Sequence, residues 1–183
     1  MNKLTLIAGT VLLVAPLSFA QPVDLAQSRI VFTMKQLNVP IDGAFTKFSA
    51  NVDFDAKKPE AGKADFTIQT ASISLPTADA VAEAKKKDWF NAAQYPTARF
   101  VSSGMKSLGN GRYQVNGKLT MKGVTRDVSA PFTAREAGGV TVVDGVLPVS
   151  RLAFKVGDGE WSDTGTVDDK VEIKFRVALK RAA

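Results

Sequence analysis

The sequence of 183 residues contains no cysteine and no histidine. Zinc, haem and copper sites usually draw on thiolate or imidazole ligands, and the common nucleophilic hydrolases need an imidazole base. We therefore expect no catalytic residue, no metal and no resident cofactor of these kinds. Because no disulfide can form, the stability of the fold must come from its hydrophobic core.

Long apolar runs are also scarce, and the clearest one lies near the start, in residues 4–17. Lys3 precedes it and Ser18-Phe19-Ala20 follows it, which is the small-x-small pattern that a signal peptidase cuts after. The run is too short to span a bilayer comfortably. We predict that residues 1–20 are a cleaved signal peptide and that residues 21–183 form a mature, periplasmic protein.

Charge of one sign is not concentrated in any part of the chain. The 24 basic and 18 acidic residues give a net charge of +6, without a dense basic patch interleaved with aromatic residues. This pattern argues against nucleic acid as a partner. With 45% hydrophobic and 23% charged residues, the composition is that of one ordinary globular domain.

Most of the chain alternates between apolar and polar residues, as strands with one buried face do. The final strand is the clearest, because Val171, Ile173 and Phe175 alternate with charged residues. Asn110-Gly111 predicts a tight hairpin. Leu152, Phe154 and Val156 predict one further short strand. The whole pattern predicts eight or nine strands in a mainly antiparallel sheet.

One helix is expected between residues 77 and 87, with Thr77 as its N-cap and three lysines at its end. It leads into residues 89–100, which hold four of the fifteen aromatic residues. A single small helix cannot cover a large sheet, so the sheet must roll into a barrel or fold into a sandwich. A barrel of about eight strands is filled by side chains or holds one narrow ligand.

Several short motifs occur in a fixed order along the chain. They are Ser28-Arg29-Ile30-Val31-Phe32, Gly43-Ala44-Phe45, Phe54-Asp55, Asp88-Trp89-Phe90, Tyr95-Pro96, Phe100-Val101-Ser102, Tyr113-Gln114-Val115-Asn116-Gly117-Lys118-Leu119-Thr120, Gly123-Val124-Thr125, Arg151 and Phe154. In their order and spacing the chain resembles the YceI-like family of exported bacterial proteins. The resemblance covers essentially the whole mature chain. Many members carry a histidine soon after the first strand's phenylalanine, and this chain does not.

The resemblance implies an all-β fold, an antiparallel eight-stranded lipocalin-like barrel with one short α-helix packed near a mouth. It also implies a protein that holds a polyisoprenoid or a quinone-like amphiphile for transport, storage or sequestration. The inward faces supply the apolar residues that such a tail needs. We expect the tunnel to be lined by Phe32, Met34, Phe66, Ile68, Leu119, Met121, Phe154, Ile173 and Phe175. The alternative is that these side chains fill one another's space in a dry core.

Residues near one mouth form a second expected group. Its aromatic members are Trp89, Phe90, Tyr95 and Phe100. Arg126 stands on an otherwise apolar strand face and Arg151 matches a family position, so either guanidinium could meet an anionic head group. The alternative for both is a place at the barrel rim or a pairing with an internal carboxylate.

Other functions compete with that of a lipid carrier. Asp53 and Asp55 share a strand face and could form a carboxylate hydrolase, although that face is polar and suits a solvated surface. The acidic residues between 158 and 169 invite a calcium site, but their spacing does not follow the regular calcium-loop pattern. A stress-response or redox accessory protein that passes lipid or quinone to a membrane partner is a third alternative. Both a monomer and a dimer are compatible with the sequence.

Overall fold

The computed structural model describes residues 21–180, whose alternating segments form one curled antiparallel sheet of ten strands. The predicted signal peptide lies outside the described residues. The sheet has the order β3-β4-β6-β7-β8-β9-β10-β1-β2-β5. The strands are β1 (Arg29–Gln36), β2 (Val39–Phe45), β3 (Phe48–Asp53), β4 (Lys63–Gln69), β5 (Ile73–Ser74), β6 (Thr97–Gly109), β7 (Arg112–Met121), β8 (Val124–Ala137), β9 (Val140–Ser150) and β10 (Lys170–Lys180).

The predicted eight-stranded pattern is recovered when β2 and β3 are counted as one bent strand. Only Thr46 and Lys47 separate them, yet β2 pairs with β1 and β3 pairs with β4. The two-residue β5 adds only a short edge. The expected all-β, antiparallel fold with one short helix is therefore confirmed.

The first described residues tie the two sides of the curled sheet together. Gln21 pairs with Val52 of β3, and Val23 pairs with Leu179 of β10. This joins β3 to β10 at one end of the barrel. Away from that end of the barrel, β1 and β3 form no hydrogen-bonded ladder with each other. A gap, called the seam below, therefore remains in the wall between these two strands.

Three aromatic side chains fill the barrel at the end opposite the helix. The ring centroid of Phe54 lies 5.1 Å from that of Tyr113 and 5.5 Å from that of Phe132. Tyr113 and Phe132 stack at 5.3 Å. These contacts suit the ring quadrupoles, and all three residues are buried, so this end is a packed core.

The helix α1 (Ala78–Ala84) begins where the sequence predicts it. The hydroxyl of Thr77 accepts a hydrogen bond from the backbone N–H of Ala80, which confirms the predicted N-cap. Ala84 is buried, and Val81 packs on the small cluster that includes Phe32. The helix thus covers the barrel wall formed by β1, β2 and β5.

The predicted hairpin at Asn110-Gly111 is confirmed, since both residues have positive φ and Gly109 pairs with Arg112. The predicted short strand at residues 152–156 is wrong. Leu152–Phe154 forms a 3-10 turn instead. Its backbone bonds within itself and to Arg151 rather than to a neighbouring strand, which explains the difference.

Candidate functional site

An inner cavity of about 140 Å³ lies within the barrel and is lined only by apolar side chains. Strand alternation places them there, because every second residue points inward. Of the predicted tunnel residues, those that line it are Phe66, Ile68, Leu119, Met121, Ile173 and Phe175. A cavity of this size without polar groups stays free of water and suits an apolar guest.

Glycines let two inward-facing rings lie close to the barrel wall. Phe175 faces Gly145 across β10 and β9, and Phe32 faces Gly43 across β1 and β2. In both pairs a Cβ on the glycine would overlap the ring, so the ring lies flat over the neighbouring strand. A ring that lies against the wall takes up less of the lumen than one that projects into it.

A second space of about 400 Å³, the helix-side cavity, lies between the barrel mouth and α1. The predicted residues Phe32, Met34, Trp89 and Phe90 line it. Its lining also includes two acidic residues of the helix, Asp79 and Glu83. This cavity is therefore mainly apolar, with two carboxylates where the helix borders it, of which Glu83 pairs with Lys86 at 2.6 Å, and with the guanidinium of Arg151 on the loop side.

Phe45 stands where these spaces meet. Phe45, Met121 and Ile173 line both the inner and the helix-side cavity. The ring of Phe45 contacts Phe32 at a centroid distance of 5.6 Å and Phe90 at 5.5 Å. The two cavities are thus separated by a few side chains rather than by backbone.

Arg151 is 2% exposed and lies beneath the loop of residues 155–168. All five of its N–H groups donate to backbone carbonyl oxygens, those of Val156, Gly157, Trp161, Val167 and Asp168. Its guanidinium lies 5.8 Å from the ring centroid of Trp89. Burial lowers the pKa of Arg151, while the charge of Asp169 acts in the opposite direction.

This geometry corrects the head-group hypothesis for Arg151. A guanidinium has five N–H donors, and none remains for a ligand. Instead, Arg151 holds in place the loop of residues 155–168, which covers the helix-side cavity. Trp161 of that loop packs on Trp89 at a centroid distance of 5.5 Å, so Arg151 and the tryptophans form one unit.

A second buried cation supports the same loop. The ammonium of Lys122 donates to the backbone oxygens of Asp88 and Lys155 and lies 3.2 Å from the carboxylate of Asp158. Its side chain is only 8% exposed. Lys122 therefore links the β7–β8 turn to the chain after α1 and to the loop, a role that the sequence analysis missed.

Two of the predicted site residues, Phe154 and Phe100, lie elsewhere than expected, and two of the expected mouth residues, Tyr95 and Arg126, line neither apolar cavity. Phe154 is 2% exposed in the packed core and lines neither cavity. Phe100 lines the inner cavity rather than a mouth. Tyr95 lies against the Gly123 turn. Arg126 is exposed at the rim, where its Nε donates to the carbonyl oxygen of Ala153 at 3.3 Å.

Two of the acidic residues between 158 and 169 accept hydrogen bonds from nearby groups. Asp169 accepts from the Ser150 hydroxyl and the Leu152 N–H, and Asp163 accepts from Gly165 and Thr166. These bonds stabilise the loop. Between residues 21 and 180, no group of three acidic, cysteine or histidine side chains is placed to hold a metal ion. Asp55 is exposed and accepts from the Lys57 N–H.

A third space, the side groove, opens on the outer wall at the seam between β1 and β3. It measures about 600 Å³ and includes Ile30 and Phe45, which also line the inner cavity. Its rim carries Arg29 and Lys47. The inner cavity therefore approaches the surface at this seam as well as on the helix side.

A model of the YceI-like domain matches residues 22–179, which is most of the described chain. The chain belongs to the YceI-like family. The inner cavity, the helix-side cavity and the side groove are thus features of a YceI-like barrel. Among residues 21–180, no helix is long and apolar enough to cross a membrane.

Solved structures of similar proteins share this fold. BcnA of Burkholderia cenocepacia is 46% identical, with a TM-score of 0.85 over 87% of this chain and 100% of BcnA. A polyisoprenoid-binding domain from Saccharophagus degradans is 14% identical, with a TM-score of 0.71 over 90% of this chain and 99% of that domain. At 14% identity the second likeness shows the fold alone.

Curated relatives match part of the chain. A UPF0312 protein of Azotobacter vinelandii is 38% identical over 86 residues, 47% of this chain and 45% of that protein. A UPF0312 protein of Shewanella oneidensis is 32% identical over 105 residues, 57% of this chain and 55% of that protein. The chain thus aligns with about half the length of these relatives.

Phe45 is the main site residue that the sequence analysis did not select. It lies in the Gly43-Ala44-Phe45 motif, and its inward direction could have been found from the alternation with Ile41 and Gly43. Its position at three adjoining spaces could not have been found in this way, because that position depends on the bend at Thr46 and Lys47. The bend is a consequence of the pairing of β2 with β1 and of β3 with β4.

Proposed function

We propose that this YceI-like protein binds an isoprenoid-type lipid, a polyprenyl compound or a quinone, and carries, stores or sequesters it. The observation that supports this most directly is the inner cavity, whose lining has no polar side chain. It adjoins the larger helix-side cavity through Phe45, Met121 and Ile173. A long apolar tail suits two adjoining apolar spaces better than a compact polar substrate does.

The energetics favour binding through the tail. Each buried CH₂ group contributes roughly 0.8 kcal/mol. About ten tail carbons would contribute roughly 8 kcal/mol, which is the scale of a micromolar affinity before entropic costs. Binding of this kind needs no catalytic base. The polyisoprenoid-binding description of the Saccharophagus degradans domain, which shares the fold, supports the same ligand class.

We also propose that the protein acts in the periplasm without chemistry of its own. The signal pattern in residues 1–20 supports export. Gln21, the residue after the proposed cleavage site, pairs with Val52. Intact mass measurement of the protein recovered from a periplasmic extract tests this, with an N-terminus at Gln21 as the expected result.

The lipid itself is identified by native mass spectrometry of protein purified from its own periplasm, followed by organic extraction. The expected result is a stoichiometric polyprenyl or quinone mass on the mature chain. A bare mass, together with no uptake of added isoprenoid, would mean that the lumen does not hold lipid. Binding of the loaded protein to a membrane enzyme would instead favour the accessory function.

A further inference from the structure

The side groove differs from the two apolar cavities in its chemistry. Hydroxyl, amide and cationic side chains line it together with apolar residues, of which Leu25, Val31 and Ala44 lie on the outer side and Ile30 and Phe45 reach the lumen. The rim residues with polar side chains are Ser28, Arg29, Thr46, Lys47, Ser49, Thr67, Gln69 and Thr97. Among the residues that the structure describes, no acidic residue lines it. The groove therefore offers the two cations Arg29 and Lys47 beside apolar residues that reach the lumen.

The floor of the groove leads to the inner cavity. Ile30 and Phe45 are cross-strand partners on β1 and β2, and both line the groove and the inner cavity. Phe48, the first residue of β3, completes the floor. Since β1 and β3 share no ladder, no backbone hydrogen bonds close the wall here.

Within residues 21–180, the two cations of the rim have no counter-ion. In the described part of the chain, no carboxylate lies within ion-pair distance of Arg29 or Lys47. Arg29 also stands directly opposite Arg176 across β1 and β10. Asp144 forms ion pairs with Arg176 at 2.6 Å and with Arg135 at 3.6 Å, so it neutralises Arg176 and not Arg29. Arg29 thus keeps a positive charge that an anion bound in the groove would neutralise.

The helix side of the barrel has the opposite character. Asp79 and Glu83 border the helix-side cavity, and the nearby guanidinium of Arg151 has no free N–H group. Glu83 pairs with Lys86 at 2.6 Å, so an anionic group there would lie near the carboxylate of Asp79 without a free N–H donor from Arg151. The charge distribution thus distinguishes the two openings and orients an amphiphile.

We propose that the side groove binds the anionic head group, a phosphate or diphosphate, of the lipid whose tail occupies the inner cavity. This inference rests on the proposed function. Arg29 and Lys47 contact the oxyanion, and the tail passes Ile30 and Phe45 into the lumen. A guanidinium and an ammonium on either side of the seam suit phosphate oxygens. A lipid without a charged head loses these contacts and keeps the tail contacts.

The test compares a polyprenyl phosphate with the polyprenol of equal chain length, each titrated into the mature protein at low salt. The unaltered protein is expected to prefer the phosphate by about tenfold, the scale of one charge-assisted contact pair. In the double variant Arg29→Gln, Lys47→Gln this preference falls to near unity. In the charge-reversed variant Arg29→Glu, Lys47→Glu the alcohol is preferred.

The control is the double variant Lys85→Gln, Lys87→Gln, which removes the same charge from exposed positions beyond α1. It is expected to keep the preference for phosphate. If it loses the preference and the groove variant keeps it, the head group lies on the helix side and the inference is overturned. Added salt should weaken the preference of the unaltered protein, because exposed charges are screened.

Two further results separate the inference from the proposed function. Equal binding of phosphate and alcohol by the unaltered protein overturns the head-group site and leaves lipid binding intact. If the unaltered protein binds neither lipid, both the head-group site and the proposed lipid-binding function are overturned. Inorganic phosphate is the third ligand to be tested, and we expect the protein not to bind it measurably. If the protein bound inorganic phosphate as tightly as the polyprenyl phosphate, the groove would be a site for a free anion rather than for a lipid head group.

Discussion

The ring of Phe175 on β10 lies over Gly145, its direct cross-strand partner on β9. A Cβ at position 145 would overlap the tip of the ring and come within 2.8 Å of the Pro131 carbonyl oxygen. The flat ring leaves the inner cavity open, so the glycine controls how much of the lumen is free. The size of the inner cavity is thus determined partly by a residue that does not line it.

Gly145→Ala is expected to push the Phe175 ring toward the inner cavity and to weaken lipid binding by about tenfold. Overpacking should also lower the free energy of unfolding by about 1–3 kcal/mol. Lipid titration and urea unfolding measure the two effects. The matched control is Gly104→Ala in β6, because a Cβ there meets no atom within 4 Å. Equal lipid affinity in both variants would mean that the glycine does not shape the lumen.

Phe45→Ala is expected to speed both the binding and the release of lipid. The ring stands at the junction of the side groove and the two cavities, and its removal joins these spaces. Stopped-flow exchange of a fluorescent isoprenoid measures both rates, with about a tenfold increase as the expected scale. Leu75→Ala is the control, because Leu75 lines only the helix-side cavity. An equal increase in the control would argue against passage at Phe45.

Arg151→Met is expected to lower the free energy of unfolding by about 3 kcal/mol, because five backbone carbonyls lose their donor in a buried site. Arg151→Lys should recover only part of this loss, since an ammonium has three donors and no planar fork. Urea unfolding provides the measurement. Arg126→Met, at the exposed rim, serves as the control with an expected change below about 1 kcal/mol. A similar cost at both positions would contradict the role of Arg151 in holding the loop.

The loop should also make stability sensitive to acid through Asp163. Hydrogen bonds from the Thr166 hydroxyl and from the Gly165 N–H hold the pKa of this carboxyl below its ordinary range. The stabilisation is complete above the unfolded-state pKa and is lost as the pH falls through the folded-state pKa. Asp163→Asn should therefore reduce the slope of stability against pH in this acidic window. Thermal unfolding from neutral pH to about pH 2 measures the slope, and identical slopes would refute this prediction.

The predictions made from sequence succeeded where a local pattern carries the information. Alternation along β10 predicted its inward face, and Thr77 caps α1 as its type and position indicate. Six of the nine expected tunnel residues line the inner cavity, and Phe32 and Met34 line the helix-side cavity. The role of these residues in binding stays a prediction.

The errors arose where the position of a side chain depends on distant parts of the chain. Arg151 looked like a head-group ligand because its type suits phosphate, yet the loop that follows folds over it and uses every donor. Phe154 has the same apolar character as Phe175, but it lies in a 3-10 turn within the packed core. No property of a single residue distinguishes these two phenylalanines.

The sequence patterns by themselves determined an antiparallel sheet with one helix and one apolar face on each strand, and the resemblance to the YceI-like family selected a barrel over a sandwich. Period-two alternation, turn residues and caps act over a few residues, so they can be recognised without the fold. Only the tertiary structure decided which inward residues border empty space and which contact one another. That depends on the curl of the sheet, on the glycines opposite Phe32 and Phe175, and on the seam between β1 and β3. Each of these relationships joins residues that lie on different strands.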